Sequence, residues 1–315
     1  MVDPDDLSAL DRERALAVGQ RLRLEEIRDP DGAAFHAAYD MLDRFFGALG
    51  ELEDREVLAR FVRERVLDYG AGASGTYHLV GAWDGEALVG VRDCYVDIDE
   101  VAGLSLVALS HSFVAPAWRR SGLAALFRAL PVTLARQAQA ARFGRELPTL
   151  VAAEMEPADP AVPESVVRLV AYGKSGFSAL DPRRFRYSQP DFRADPMADH
   201  TGIAMLGIVR TVNLPPGPLA PSVAEVFPRL FHVCHRMYLD RSRVDPSEEH
   251  AVGTLRASAE PVALLPLPTS RGELQRLGPL VRSAVLPLYP RNLRGPEGDR
   301  VSDPVSELAA ILAGS

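Results

Sequence analysis

The sequence predicts an α/β (α+β) fold in which a mixed, mostly antiparallel central sheet is flanked by helices and followed by a C-terminal extension. Three strand-like runs follow one another in the first half of the chain, helices and strands then alternate, and prolines break the chain beyond about residue 195. The length of 315 residues allows one large domain or two ordinary ones. We therefore expect an N-terminal helical extension at 1–19, a main domain at 20–195, and a C-terminal extension at 196–315 that serves as a lid or a dimerisation region.

The first elements are read from the spacing of apolar residues. A short helix is predicted at 5–18, and residues 21–28 alternate as a half-buried strand does. Apolar side chains then recur at helical spacing in two amphipathic helices. These helices are predicted at 33–48 and 53–68.

An antiparallel meander is predicted next. Its three strands lie at 76–83, 86–98 and 104–115, and Asp84 with Gly85 gives a strong hairpin signal between the first two. A long helix at 123–143 follows, in which Pro131 is expected to cause a kink or a break because it removes a backbone hydrogen bond.

The second half of the chain is predicted in less detail. The predicted elements are a strand at 147–155, a helix near 164–173, a strand around 183–188, a strand-like run at 201–212, helical patterns near 221–239 and 271–286, and a short helix at 305–313. No internal repeat connects these segments.

Composition excludes several classes of protein. Hydrophobic residues make up 47% and charged residues 25%, as in ordinary globular proteins. The net charge of −8 argues against a nucleic-acid partner, which needs a clustered basic surface. No apolar run has the length of a membrane helix, and the acidic start is unlike a signal peptide, so we expect no membrane partner and a cytoplasmic location. Cys94 and Cys234 lie far apart without CxxC partners, which predicts neither a disulfide framework nor a zinc ribbon.

A metal site is not expected either. His232, His235 and His250 lie near Asp240 and Asp245, but His-x-x-His without an intervening Glu or a third ligand at a recognised spacing is not a metalloprotease pattern. We therefore predict no metal cofactor.

The most informative segment is 113–124, which runs from an apolar strand directly into a helix. Gly122 at the junction allows successive backbone N–H groups to point outward, and the helix N-terminus adds partial positive charge. Arg119 and Arg120 supply further positive charge. The residues alone are compatible with a pyrophosphate-binding turn or with a tight turn that carries two solvated arginines.

This segment resembles the signature of the GNAT acyltransferase superfamily, R/Q-x-x-G-x-G/A after a strand that ends in V-x-P. Arg119, Gly122 and Ala124 match the turn, and Val114 and Pro116 match the strand end. The resemblance implies that the turn holds the pyrophosphate of coenzyme A through its backbone amides. The implied cofactor-binding residues are Phe113, Val114, Arg119, Arg120, Ser121, Gly122, Leu123 and Ala124.

A second, independent resemblance follows in the expected order. The segment 171–177, with Tyr172, Lys174, Gly176 and Phe177, matches the Y-x-K-x-G-F pattern of the same superfamily. Together the two motifs extend the resemblance over about 20–190. They imply an N-acyltransferase that uses acetyl-CoA, or another acyl-CoA, as co-substrate and acylates an amine by direct attack.

The resemblance also suggests catalytic roles. Tyr172 is the expected acid that protonates the leaving thiolate, and the alternative is that it only packs its helix against the sheet. The oxyanion contact is implied to come from a backbone N–H near Phe113 or Val114. The base is His111, on the strand before the turn, or Glu154, at the end of strand 147–155, and each residue has a purely structural alternative.

Other features leave the acceptor open. Asp97, Asp99 and Glu100 either form an acidic rim that attracts a cationic amine or are a solvated turn. Cys94 is the nucleophile of a ping-pong route, which we set aside because nothing beside it in sequence lowers its pKa. The acceptor is a small-molecule amine or a protein amine, and a homodimer is a possible assembly. The alternative function is an acyl-CoA-binding sensor or assembly protein without catalysis.

Overall fold

The structure is a computed structural model, and it describes residues 2–47, 52–70, 73–159, 163–190 and 203–281. The described residues form two compact units. The N-terminal unit contains 2–151 and 211–214, and the C-terminal unit contains 152–190, 203–210 and 215–281. The predicted domain boundary at 195 lies outside the described residues, so the predicted domain limits remain predictions.

The N-terminal unit follows the predicted order of helices and strands. Its elements are α1 Arg12–Arg21, β1 Arg23–Glu26, α2 Ala33–Phe46, α3 Arg55–Glu64, β2 Val66–Gly70, β3 Ala73–Asp84, β4 Ala87–Asp99, β5 Leu104–Val114 and α4 Leu123–Phe143. The strand β6, Thr149–Met155, begins in this unit and ends in the next one. Short 3-10 turns at Pro4–Asp6 and Pro116–Trp118 precede α1 and α4.

The sheet of this unit is antiparallel and has the order β1-β3-β4-β5. The strand β2 also pairs with β3, near the start of that strand. The predicted class, a mixed and mostly antiparallel sheet flanked by helices, is confirmed.

Helices cover both faces of this sheet. On one face, Phe61 of α3 packs against Tyr77 of β3 and Tyr95 of β4. On the other face, Val80 of β3 belongs to an apolar cluster with Phe127 of α4 and with side chains of α1. The alternation of side chains along β3 and β4 therefore supplies two apolar layers, one for each helix layer.

A β-bulge interrupts the pairing of β4 with β5. Arg92 pairs with Ser112 and Cys94 pairs with Leu109, so two residues of β5, Ser110 and His111, oppose the single residue Asp93. A bulge leaves a backbone group without its ladder partner and redirects the side chains beside it. The bulge therefore determines how His111 is presented.

Two expectations for this unit need correction. The helix α4 continues through Pro131 as one helix from Leu123 to Phe143, so Pro131 does not break it. Pro131 is buried together with Leu126, Phe127 and Leu130, and burial of that apolar face outweighs the lost backbone hydrogen bond. The helix predicted at 53–68 ends at Glu64, where Arg65 adopts a positive φ of 56° and the chain enters β2.

The C-terminal unit combines short strands with helices. Its elements are α5 Pro163–Lys174, β7 Ser178–Leu180, β8 Tyr187–Gln189, β9 Ile203–Val212, α6 Pro221–Ala224, α7 Val226–Arg236, α8 Arg241–Arg256, β10 Leu264–Pro266 and a 3-10 segment Arg271–Leu280. The last two residues of β9 belong to the N-terminal unit. The strand β7 pairs antiparallel with β9 and with β10, and β8 pairs antiparallel with β9. Aromatic rings of Phe185, Tyr187, Phe227 and Phe231 form part of its core.

The elements of the C-terminal unit were predicted less accurately than those of the N-terminal unit. The strand predicted around 183–188 overlaps only the start of β8, and α8 was not predicted because its sequence is mostly polar. The segment predicted as a helix at 271–286 is a 3-10 segment up to Leu280. The short helix predicted at 305–313 lies outside the described residues.

Candidate functional site

The turn between β5 and α4 has the conformation that its glycine predicts. Gly122 has a φ of 101° and caps α4, and a Cβ at this position would lie 2.5 Å from the carbonyl carbon of Arg14. Any other residue would therefore be strained by φ and would also collide with the backbone of α1. The Ser121 hydroxyl accepts a hydrogen bond from the N–H of Leu123 at 3.2 Å, which satisfies one N–H group of the first helical turn.

The turn presents positive charge to solvent. Arg119 and Arg120 are exposed, and neither side chain forms an ion pair with a described residue. Arg14 is also exposed and unpaired within the described part of the chain, and its backbone contacts Gly122. The sequence did not indicate Arg14, because only the packing of α1 brings it to the turn.

His111 lies in the bulge of β5 and is held there by Asp93. The backbone N–H of His111 donates to Asp93 Oδ1 at 2.5 Å, and His111 Nδ1 lies 3.2 Å from Asp93 Oδ2. His111 Nδ1 also lies 3.1 Å from Ser110 Oγ, and a proton that Nδ1 donates to Asp93 would leave the lone pair on Nε2. The role of His111 as a base remains a prediction.

Tyr77 completes the hydrogen bonds to this carboxylate. Its hydroxyl donates to Asp93 Oδ2 at 2.9 Å. Burial, with the nearby charge of Asp93, raises the pKa of Tyr77 well above its ordinary value, so Tyr77 remains a donor. The Asp93 side chain is only 2% exposed and depends on these donors for its satisfaction.

The other nitrogen of the His111 ring faces a second carboxylate. Nε2 lies 3.9 Å from Glu53 Oε2, which is too long for a hydrogen bond, and the two groups form an ion pair only when the ring is protonated. The ring of Phe46 packs edge-on against the imidazole at 4.9 Å between centroids. Asp93, Tyr77 and Glu53 were all missed from the sequence. A charged pair in the middle of the buried strand β4, Arg92-Asp93, was the one signal that could have indicated Asp93.

Tyr172 lies in the last turn of α5, in the C-terminal unit. Its ring packs edge-on against Phe177 at 5.0 Å, and its carbonyl oxygen accepts a hydrogen bond from the N–H of Phe177 at 3.1 Å. Gly176 has a φ of 80°, which reverses the chain so that this bond can form. The spacing of the second motif is therefore explained as a helix C-terminus, while the role of Tyr172 as an acid remains a prediction.

Glu154 is half-buried and serves as a hydrogen-bond acceptor within the C-terminal unit. The Tyr187 hydroxyl donates to Glu154 Oε1, and Gln189 Nε2 donates to Glu154 Oε2 at 2.9 Å. Tyr187 and Gln189 alternate along β8 and so point to the same side. These hydrogen bonds hold both carboxylate oxygens in place, and the role of Glu154 as a base remains a prediction.

The acidic rim expected at the end of β4 is not open. Asp97 and Asp99 are buried, Asp99 Oδ1 accepts a hydrogen bond from the N–H of Ala102 at 2.9 Å, and Glu100 pairs with Arg142 of α4. These carboxylates form a structured hairpin end, so they are not available to attract a cationic acceptor.

Two of the three histidines of the tail, His232 and His235, are buried beside aromatic side chains, and His250 is exposed. His232 stacks on Tyr187, and burial lowers the pKa of His232 to about 4 and that of His235 well below its ordinary value. The carboxylate of Asp245 is engaged by Arg236. Over the described ranges, no group of three or more His, Cys, Asp or Glu side chains could hold a metal ion.

Cys94 is buried in β4, and burial raises its pKa to about 12. Its thiol therefore stays protonated at neutral pH and is a poor nucleophile. Within the described part of the chain, no helix combines the length and apolarity needed to cross a membrane.

Comparison with known proteins gives structural similarities only. No family model matches the chain, and no curated protein matches it. One similar solved structure is an aminoglycoside acetyltransferase from an uncultured soil metagenomic sample, which is 16% identical over 44% of this chain and 80% of that one, with a TM-score of 0.30.

Two further solved structures have comparably low sequence identity and TM-scores to this chain. An acyl-CoA N-acyltransferase from Pseudomonas aeruginosa is 18% identical over 60% of this chain and 99% of that one, with a TM-score of 0.32. The ribosomal-protein-S18-alanine N-acetyltransferase from Escherichia coli is 13% identical over 62% of this chain and 96% of that one, with a TM-score of 0.37. All three are acetyl- or acyltransferases, the class that the two sequence motifs resemble. Because the identities and TM-scores are low, we take no residue role and no substrate from them.

Proposed function

We propose that the chain is a GNAT-type N-acyltransferase, which transfers an acyl group, acetyl in the simplest case, from acyl-CoA to an amine. One strand–turn–helix segment supports this proposal most. The strand β5 carries His111 with Nε2 as its basic atom, and the turn after β5 exposes an unpaired cationic surface at the N-terminus of α4. Acyl transfer from a phosphate-bearing thioester requires both a base and an anion site, held rigidly.

The turn at 119–124 is proposed to bind the pyrophosphate of coenzyme A. The backbone N–H groups of Gly122 and Ala124 make no hydrogen bond to a described backbone carbonyl, and they lie at the positive end of α4. Arg119 and Arg120 add charge-assisted contacts, and Arg14 is close enough in the fold to join them. Coenzyme A would supply the activated thioester when bound, and this chain's residues would hold it.

His111 is proposed to take the proton from the attacking amine. Asp93 stabilises the resulting imidazolium through its contact with Nδ1, and Glu53 lies on the other side of the ring. As the N–C bond forms, negative charge develops on the thioester oxygen, and a backbone N–H near Phe113 or Val114 is the proposed donor to it.

Tyr172 is proposed to return a proton to sulfur when the C–S bond breaks. Its hydroxyl makes no hydrogen bond to a described residue, so it is available as a donor. The products are then an amide and free coenzyme A, and the proton held by His111 leaves to solvent. The protonated thiol of Cys94 favours this direct route over a covalent acyl-enzyme.

The proposal is tested by incubating the protein with acetyl-CoA and a panel of primary amines. Release of free thiol that depends on an amine, formation of the amide by mass spectrometry, and an unchanged mass of the intact protein are the expected results. A protein that neither binds acetyl-CoA nor releases thiol would contradict the proposal. Binding without release for every amine would instead favour the sensor alternative.

A further inference from the structure

Ser110 lies beside His111 in the bulge of β5, and its hydroxyl contacts the same ring nitrogen as Asp93 does. Ser110 Oγ lies 3.1 Å from His111 Nδ1, and Asp93 Oδ2 lies 3.2 Å from that atom. Adjacent side chains of a regular strand point to opposite faces, so this contact between neighbours depends on the bulge, which places both residues opposite Asp93. One nitrogen therefore has two oxygens within hydrogen-bond distance.

The two oxygens differ in the hydrogen bonds that they can form. A hydroxyl group can donate or accept, whereas an ionised carboxylate can only accept. Both oxygens of Asp93 accept a further hydrogen bond, Oδ1 from the backbone N–H of His111 and Oδ2 from the hydroxyl of Tyr77. A lone pair on His111 Nδ1 would face the lone pairs of Oδ2 at 3.2 Å, so the arrangement favours a proton on Nδ1 that Asp93 and Ser110 both accept.

We propose that Ser110 is a positioning residue, whose hydroxyl oxygen accepts the Nδ1 proton of His111 together with Asp93 and so keeps the ring lone pair on Nε2. This inference rests on the proposed function, in which Nε2 of His111 is the basic atom. It adds a residue that neither sequence motif includes. Ser110 acts through His111 and needs no contact with either substrate.

A shared proton also affects how readily the ring takes up a second one. A hydrogen bond from a charged donor is stronger than one from a neutral donor, so Ser110 stabilises the imidazolium more than the neutral ring. Titratable groups around the ring are Asp93 on β4, Glu53 before α3 and, bonded to Asp93, Tyr77 on β3. A substitution of Ser110 leaves these groups in place, so the resulting change in the titration of His111 reports the loss of one acceptor.

The test is nitrogen NMR of the imidazole, in which the two neutral tautomers and the protonated ring give different shifts, and His111→Gln assigns the signals. In the wild type we expect the neutral ring to carry its proton on Nδ1. In Ser110→Ala the midpoint of the His111 titration should fall by about 0.5 to 1 pH unit, because the imidazolium loses one acceptor. Ser110→Thr keeps a hydroxyl group and should restore the midpoint. The matched control Ser112→Ala removes an exposed hydroxyl from the same strand and should leave the midpoint unchanged.

The NMR measurement needs no substrate, so it separates this inference from the proposed function, which fails on its own if no amine is acylated. Where turnover is found, the acid limb of kcat/KM should move to lower pH in Ser110→Ala by the same amount as the midpoint. A wild-type ring with its proton on Nε2 would overturn the inference, because Ser110 would then donate to Nδ1. A midpoint that rises or stays unchanged in Ser110→Ala, or a loss of activity without a shift of the acid limb, would also overturn it.

Discussion

The buried titratable side chains of the two compact units have different partners. In the N-terminal unit, His111 is linked to Asp93 beside a cationic turn that is open to solvent. In the C-terminal unit, Glu154 is held by Tyr187 and Gln189, and His232 is buried against an aromatic ring. Both units thus contain titratable groups of the kind that catalysis uses, and among the described residues His111 is the one that lies on the strand leading into the proposed anion-binding turn.

This difference shows that hydrogen-bond partners decide the role of a titratable residue more than its residue type does. The contact of His111 with Asp93 favours a lone pair on Nε2, whereas both oxygens of Glu154 accept hydrogen bonds from neutral side chains. We therefore propose to assign proton transfer to His111 in the N-terminal unit, with Glu154 as the alternative base.

Substitution of each candidate base in turn tests this assignment most directly. His111→Gln should lower kcat by about 100- to 10,000-fold, because a general base contributes that much to catalysis. Glu154→Gln should lower kcat by less than about tenfold, since the amide still accepts a hydrogen bond. Steady-state kinetics with His36→Gln as a surface control on α2 measures both.

Asp93→Asn tests in the same experiment whether Asp93 positions the proton of the His111 ring or only packs beside it. It keeps the size of the side chain but no longer requires a proton on His111 Nδ1, so the pH dependence of kcat/KM should shift as well as its magnitude. A loss of activity in Glu154→Gln as large as that in His111→Gln would reverse the assignment.

The sequence identified residues whose conformation is determined by a short motif, and it missed residues that come together only when the chain is folded. Gly122 and Gly176 were recognisable because each turn needs a positive φ at a fixed place in a motif. Asp93 and Glu53 come close to His111 only through a β-bulge and through the position of the chain before α3, and neither follows from periodicity. Pro131 misled the prediction because burial, which residue spacing does not measure, stabilises α4.

Each unit contains a glycine that lies against the backbone of another segment, and the stability cost of replacing it can be compared between the units. Gly122→Ala forces a side chain into positive φ and into the backbone of α1, and should destabilise the protein by about 2–4 kcal/mol. Gly173→Ala places a Cβ 2.2 Å from the carbonyl oxygen of Pro268 at an ordinary helical φ, and should cost about 1–3 kcal/mol.

Gly253→Ala is the matched control for these substitutions. It lies within α8 with no atom within 4 Å of its Cβ position, so it should stabilise the protein by about 0.5–1 kcal/mol. Denaturant unfolding followed by circular dichroism measures all three variants. A neutral Gly122→Ala variant would show that α1 does not pack against the turn as described.

Acid should weaken the C-terminal unit before the N-terminal unit. Burial lowers the pKa of His232 to about 4, so the unfolded chain takes up a proton at this residue more readily than the folded chain does. Stability is therefore lost as pH falls from about 6.5 towards 4, by up to about 3 kcal/mol. His232→Phe should reduce this loss, and the remaining part is expected from His235, whose pKa is also lowered by burial.

The corresponding group in the N-terminal unit is Glu26. Burial alone would raise its pKa, but hydrogen bonds from His78 and Arg28 and the charge of Arg65 outweigh burial and lower it to about 2. Its contribution is complete above about pH 4.5 and is lost as pH falls towards 2, by up to about 3 kcal/mol. Hydrogen exchange of peptides from α7 and β1 measures the stability of the two units separately as a function of pH. Loss of protection in both peptides at the same pH would contradict the two different pH ranges predicted here.

The central claim is that the turn at 119–124 binds coenzyme A. Calorimetric titration of acetyl-CoA against the wild-type protein, the Arg119→Glu, Arg120→Glu double variant and the control Arg145→Glu tests it most directly. Arg145 is likewise exposed and unpaired within the described residues but follows the other end of α4. We predict binding that weakens by more than about tenfold in the double variant and stays within about twofold in the control. Equal affinity of all three proteins, or no binding to the wild type, would contradict the account.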